Sequence, residues 1–538
     1  MITGFKERRK KIDLSLGILV LAVLAQIVLW VRMNLKYQYI FDYDASMLFY
    51  HVICMWKEKT LLISDWIYMS TGEWDCASLP AFLFYGMTGD IKLSFGIANA
   101  CNVILTALVV SRIFKAIPSE HGRNKGMLLA ISLVLMPYCW GQLDYSNMLF
   151  YGAAQYIYKV LLPVWLVSLY VGMPKRKPLA ILYTVGFLIP VWATASSSGI
   201  YVFMSGLFPI LCCWLVQAIG SPRFDRKGFL ISLLTVAAYI AGFAFRKLEN
   251  LQTLADLMML SPMEAIFPNI LQTMKDYFYV IEVLPAWTQL EIFSLEAFMG
   301  YLKLGMLLVM TAMGLRELKH CFMLRTVFTE PERVQDAESF VKASLSSVFI
   351  WNLFILIMTK STPRYHLVGF IPFIILACIS LAQKLEACPV CRIKKLLWTG
   401  VAVAAVLLAG LLFMDARNYV TDENEKYSEL LISEAEAQDV DTVILLDDGW
   451  WAEKTRPLDP ERRYLGYSSS LGKMINFDVP ASFNDMGIFS ERHMLVTQAA
   501  YPIERLPESM RERYTLVKDE WGVQFYLAQD AAEDALEE

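Results

Sequence analysis

Two aspartates stand in Phe41-Asp42-Tyr43-Asp44, a few residues past the apolar run 14–33. Two positions apart, Asp42 and Asp44 point the same way from an extended segment. A carboxylate kept at a membrane edge is costly, and the work it suits is that of a general base, drawing a proton from an attacking hydroxyl. More acids follow in Gly72-Glu73-Trp74-Asp75 and at Asp144-Tyr145, where the third apolar run ends. Cations punctuate the later runs: Lys159, Arg246-Lys247, and Arg364 beside Tyr365. Arginine offers a forked pair of donors to a phosphate and lysine a point charge.

The elements that must position these residues are membrane spans. Of 538 residues, 56% are hydrophobic and 19% charged, with mean hydropathy +0.44. That is more apolar and less charged than a soluble domain. About 11 stretches are long and apolar enough to cross ~30 Å of hydrocarbon: roughly 13–33, 92–111, 127–144, 155–173, 179–196, 200–219, 229–246, 297–315, 343–359, 366–383 and 396–414. Lys/Arg clusters at 6–11, 112–125, 175–177, 223–227, 316–325 and 392–395 all fall on one side of that scheme. The positive-inside bias then predicts a cytoplasmic N-terminus, a retained first span without a cleavage site, and everything after the last span outside. The net charge of -4 hides an asymmetry, because from Asp415 onward about 27 Asp/Glu face about 12 Lys/Arg.

This predicts a polytopic α-helical membrane domain over 1–414 and a small acidic, extracytoplasmic α/β domain over 415–538. Two long outer loops, 34–91 and 246–296, hold amphipathic stretches (45–56 and 266–283 among them) that read as interfacial helices. In the tail, a charged helix over 422–437 precedes strands at 441–446, 493–496 and 521–527. Asp447-Asp448 closes the first strand, where acids commonly sit unemployed. The ten cysteines lie mostly in apolar runs, and Cys388-Pro389-Val390-Cys391 reads as a reduced pair in an inner loop. Ser196-Ser197-Ser198-Gly199 reads as a turn between the fifth and sixth spans.

No Walker loop, dinucleotide fingerprint, HExxH or nucleophile elbow is present, and five histidines make a histidine-based metal cluster hard to assemble. Nothing points to nucleic acid. Cations at outer span ends run against the positive-inside bias, and a lipid phosphate gives them a reason. Carboxylates and cations converging there suggest transfer of a group from a lipid phosphate, whose departure needs charge stabilisation rather than a general acid. Two further readings are a surface-polysaccharide polymerase or ligase and a transporter or lipid flippase, although no repeat relates the halves.

The arrangement resembles the GT-C superfamily of integral-membrane glycosyltransferases, relatives of which include protein O-mannosyltransferases and aminoarabinose transferases. Asp42-Tyr43-Asp44 occupies the place of that family's acidic motif after span one. The loop 246–296 follows the seventh span as its second long loop does, and Arg364-Tyr365 resembles its Arg-Tyr pair at the start of a span. The family's acidic pair is usually adjacent, whereas a tyrosine separates the two aspartates here. The resemblance implies inverting transfer of a sugar from a polyprenyl-phosphate donor to a glycan, lipid or protein acceptor, with a divalent metal in some members. It makes Asp44 or Asp42 the base, while the outer charges themselves offer Glu73, Asp75, Asp144 and Tyr145 to the sugar and acceptor. Lys159, Arg246, Lys247, Arg364 and Tyr365 are assigned to the lipid phosphate. No histidine is placed by sequence to join Glu73 in a metal site.

Overall fold

A computed structural model describes residues 13–36, 43–63, 65–68, 71–140, 144–220, 225–248, 259–283, 289–319, 336–359, 361–416, 420–421, 425–477 and 479–528. Asp42, the basic cluster 6–11 and the stretch 251–258 lie outside them.

The helical body runs α1 (Leu14–Lys36), α2 (Tyr43–Glu58), α3 (Ser78–Thr88), α4 (Ile91–Ile113), α5 (Arg123–Val134), α6 (Tyr145–Leu149), α7 (Ile157–Gly172) and α8 (Lys177–Ser198). It continues through α9 (Phe208–Gly220), α10 (Arg226–Leu248), α11 (Ile266–Tyr279), α12 (Leu295–Glu317), α13 (Ala337–Met358), α14 (Pro363–Glu386) and α15 (Cys391–Asp415). Among the described residues nine helices are long and apolar enough to cross a membrane, fewer than the eleven expected. The third expected span, α5, is a helix of 12 residues, about 18 Å long and too short to cross. Pro137 cannot continue it, and the apolar run goes on as non-helical, buried chain through Tyr138, Cys139 and Trp140. The Tyr138 hydroxyl and the Trp30 indole donate to the freed carbonyls of Leu133 and Leu135 at 2.9 and 2.7 Å. The fourth, α7, keeps 16 residues. The chain is a multi-pass membrane protein.

Burial orders the bundle. In α14, 94% of the most apolar window is buried, against 33% in α1, so α14 is the central helix and α1 a peripheral one. At one end, Lys125 pairs with Asp13 at 2.8 Å and reaches Glu386 at 3.8 Å, while Lys394 pairs with Glu386 at 3.2 Å. This gathers the start of α1, α5 and α15 with the end of α14. At the opposite end lie α2, α3 and the start of α14. Along α11, and from Met263 in the 3-10 turn before it, Phe267, Leu271, Met274 and Phe278 form an exposed apolar stripe of helical spacing, as an interfacial helix requires.

The C-terminal domain adds α16 (Lys426–Ala437), β1 (Thr442–Leu446), α17 (Gly449–Thr455), β2 (Arg463–Ser468), β3 (Lys473–Met474), β4 (Met494–Gln498), α18 (Glu508–Arg511), β5 (Tyr514–Glu520) and β6 (Val523–Ala528). The sheet order is β3-β2-β1-β4-β6-β5, parallel across β2-β1-β4 and antiparallel elsewhere. Every residue of β1 is buried, which explains its unbroken apolar run. Val443 and Leu445 face the core under α16, whereas Ile444 and Leu446 belong to the core shared with the membrane body. The three strands expected from sequence are β1, β4 and β6. Asp447 accepts from the Ser469 amide at 2.8 Å and from Arg505 at 3.1 Å, and Asp448 from Gln498 at 2.5 Å, so both end-of-strand acids are engaged within the domain.

Candidate active site

Asp44 lies in the first turn of α2, a helix outside the nine spans whose Leu48, Phe49, Val52 and Ile53 are buried. Burial raises the Asp44 carboxyl above the ordinary carboxylate range, and the charge of Arg364 works against that rise. Arg364 is the second residue of α14, after Pro363, whose missing N–H suits a helix start. Thr362 is the N-cap but makes no side-chain cap bond. Its hydroxyl and the Nε of Arg364 are both buried without a hydrogen-bond partner. Two unused donors at the positive end of a long helix form a corner suited to an anion. Tyr365 shapes it, with its ring 6.1 Å from Tyr156 and 5.8 Å from Tyr201, and the Arg364 guanidinium 5.4 Å above its face.

A second group holds the loop after α2. Asp75, 1% exposed, pairs with Lys159 at 3.4 Å and accepts from Ser197 at 3.0 Å and from Ser198. The Trp74 indole donates to Ser196 at 2.8 Å, and the Gly72 amide to the Ser197 carbonyl at 3.2 Å. The serine run ends α8 at Gly199, whose φ of +62° stops the helix, as the expected turn requires. Arg246 donates to the carbonyls of Ser197 and, at 3.4 Å, Ser196. Lys159 also lies 4.9 Å over the ring of Tyr156, which touches the Arg364 corner. Lys247 is exposed, 5.7 Å over Phe243, and no contact described brings it to these groups.

Glu73 sits between them with φ +67°, a left-handed conformation that few non-glycine residues adopt. His51, fully buried, brings Nδ1 to 4.0 Å from the Glu73 carboxylate and Nε2 to 3.5 Å from the Tyr68 hydroxyl. Burial drives the imidazole pKa down to about 3, so it is neutral. His51 therefore lies beside Glu73, a proximity that the sequence does not show. His51 is seven residues from Asp44, two turns along α2, and so on the same face.

Asp144 and Tyr145 are carried elsewhere. The Tyr145 hydroxyl donates to the Val134 carbonyl at 2.7 Å and its ring packs on Tyr138 at 4.9 Å, so it seals the end of α5. Asp144 joins Cys139 and Glu282, with ligand atoms within 4.8 Å of one another, a set that could hold a metal ion. Lys303 already supplies a positive charge there, donating to the Glu282 carbonyl at 3.2 Å. Among the described residues no other three His, Cys, Asp or Glu side chains gather so closely, so His51 and Glu73 make two ligands where a metal needs more.

The sequence expectations thus divide. Asp44 lies within the electrostatic reach of Arg364, which stacks on Tyr365, and Asp75, Lys159 and Arg246 meet around the end of α8. Glu73 joins His51, while Asp144, Tyr145 and Lys247 stand apart. Sequence reading passed over Thr362, although Thr-Pro is a helix-start signal, and His51, although it repeats Asp44 at helical spacing. It also passed over Ser197, Ser198, Tyr156 and Tyr201, whose types carry no such signal.

No protein-family model matches the chain and no curated protein matches it. Among solved structures it is similar to ArnT from Cupriavidus metallidurans in the apo state, with TM-score 0.53 and 11% identity over 96% of this chain and 98% of that one. It is similar also to ArnT from the same organism bound to undecaprenyl phosphate, with TM-score 0.50 and the same identity and coverage. At that identity the likeness is one of architecture: this multi-pass chain, sheet domain included, has the fold of the ArnT structures.

Proposed function

We propose that this chain is a glycosyltransferase that moves a sugar from a polyprenyl-phosphate donor to an acceptor hydroxyl, at the membrane face that bears the sheet domain. The observation that carries the reading is the corner at the start of α14, where half-buried Asp44 lies within the field of Arg364 and two buried donors, Thr362 Oγ1 and Arg364 Nε, have no partner. The undecaprenyl phosphate bound in one structure of this fold supports a polyprenyl phosphate as the leaving group.

In this mechanism the phosphate oxygens of the donor take the Thr362 hydroxyl, the Arg364 fork and the amides at the start of α14. The Asp44 carboxylate accepts the proton of the acceptor hydroxyl as its oxygen attacks the anomeric carbon. The C–O bond to the phosphate breaks on the opposite face, so the sugar inverts, and the lipid phosphate leaves with its charge held by Arg364. Asp75 and Lys159 hold the loop that carries Glu73, which contacts the sugar or acceptor. The acceptor is a glycan, lipid or protein. No step is routed through a metal ion, because among the described residues the side chains beside Asp44 do not make a complete ligand set.

The test is transfer from undecaprenyl-phosphate-linked sugars into membrane acceptors by purified wild type and Asp44→Asn, with Asp42→Asn beside them as the alternative base. Loss of the base costs about 10²–10⁴-fold in rate. The wild-type rate falls on the acid side as Asp44 takes up a proton, and its raised pKa sets that limb above the ordinary carboxylate range. Full transfer by Asp44→Asn would remove Asp44 from the mechanism.

A further inference from the structure

Besides the Lys92–Glu425 pair at 2.7 Å on α4, the sheet domain contacts the membrane body at two pieces of chain near the candidate base and its neighbouring loop. The first is α2 itself. Lys57, near its C-terminal end, pairs with Glu461 at 2.8 Å and donates to the Pro460 carbonyl at 3.2 Å, and Tyr50 packs on Phe483 with ring centres 6.3 Å apart. The second is the strand-like segment 65–68. The Ile67 amide donates to the Val479 carbonyl at 2.9 Å, the Ala481 amide to the Asp65 carbonyl at 2.6 Å, and Trp66 forms an antiparallel bridge with Pro480. The domain thus adds a short strand to the loop that leads to Glu73 and Asp75.

The piece it adds is rigid. Asn476 donates to the Phe483 carbonyl at 3.0 Å and exchanges bonds with Asn484 at 2.9 Å each way. Arg456, 1% exposed, fixes Asn476 at 2.6 Å and the Tyr464 carbonyl of β2 at 2.8 Å. From the bridge a line of rings leads inward. Trp66 lies 6.0 Å from Tyr50 and 4.7 Å from His51, Tyr68 lies 5.6 Å from His51, and Trp74 lies 6.2 Å from Tyr68. The Trp74 indole ends on Ser196, beside the serines that hold Asp75. Phosphate-side groups are built differently, since Thr362 and Arg364 stand on α14, the buried centre of the bundle.

We infer that the C-terminal domain is a positioning element for the base side of the site: its 479–483 segment splints the 65–68 loop and α2, and so fixes Asp44 and the Glu73–Asp75 loop without touching the phosphate corner. The inference rests on the reading of Asp44 as the base. A base misplaced by about an ångström loses rate steeply, whereas donor binding does not depend on it. The splint therefore acts on turnover and leaves donor-phosphate affinity alone.

Ala481→Pro tests it in the full-length chain. Ala481 opens a short 3-10 turn and follows Pro480 at φ -56° and ψ 142°, a conformation that a following proline tolerates. The substitution removes the N–H given to Asp65 and little else, and Ala481→Ser, which keeps it, is the control. Two native thiols report on the splinted pieces, Cys54 on α2 and Cys76 beside Asp75, through alkylation resolved by mass spectrometry. Expected for Ala481→Pro are several-fold faster alkylation at Cys54 and Cys76, a fall of about tenfold or more in turnover of an undecaprenyl-phosphate-linked sugar, and unchanged affinity for undecaprenyl phosphate. Ala481→Ser behaves as wild type in all three. Unchanged alkylation, faster alkylation with unchanged turnover, or a parallel loss of undecaprenyl phosphate binding would each overturn the inference. If wild type turns over no such donor, the functional reading fails, while the alkylation arm still decides whether the domain holds α2 and the loop.

Discussion

Asp44 and Asp75 show how one residue type is given two roles by its surroundings. Asp75 is committed before any substrate arrives, with Lys159 at 3.4 Å and two serine hydroxyls on its oxygens. Such a carboxylate holds a loop. Asp44 is desolvated, with its pKa raised despite Arg364, which is how a carboxylate is brought toward the strength a general base needs. The two should therefore fail differently. Asp75→Asn leaves Lys159, 7% exposed, without its charge partner. It should cost about 3–5 kcal/mol of stability, read as a lowered Tm in detergent. Asp44→Asn should keep the wild-type Tm and lose transfer. An Asp75→Asn protein with unchanged Tm would show that the pair does not hold the fold.

At the scale of elements, the site depends on helices that approach closely enough to fix their ends. Gly96 of α4 is one such contact, because a Cβ there would lie 2.2 Å from the Asn34 carbonyl oxygen of α1. Asn34 in turn donates to the Phe150 carbonyl at 2.9 Å, so the crossing also holds the chain beyond α6. Backbone cannot give way as a flexible side chain does. Gly96→Val should destabilise by about 1–3 kcal/mol, measurable as a lower Tm in detergent, and wild-type stability would show that the two helices are less closely set. The same logic explains α5, where a proline ends the helix early and the tyrosine and tryptophan hydroxyl and indole groups satisfy the carbonyls left over.

At the scale of the molecule, one end of the bundle carries basic clusters and the other carries the sheet domain and the candidate site. By the positive-inside bias we propose that the basic end faces the cytoplasm. A membrane-impermeant maleimide applied to intact cells should label a cysteine introduced by Ser470→Cys in the sheet domain and spare the exposed native Cys391 at the start of α15. Labelling of Cys391 with protection of the introduced thiol would reverse the orientation and move the proposed chemistry to the cytosolic face. The exposed stripe on α11 belongs to the same scale, since an apolar face with no protein against it is what the edge of a bilayer covers.

The membrane-spanning class was legible from composition and run length, because hydrocarbon admits only long apolar helices and the chain must supply them locally. The tail's α/β class was legible for the same kind of reason: β1, β4 and β6 are short apolar runs of local character, whereas exposed β5 and two-residue β3 take their place from pairing alone. Asp44 and Arg364 could be named as candidates because acids and bases at span ends are rare. Their proximity could not, since more than 300 residues of chain separate them and only the packing of α2 against the bundle closes that distance. Nor could sequence part Asp144 from Asp75, or seat His51 against Glu73. Those are facts of side-chain direction after folding, and the tertiary structure alone decided them.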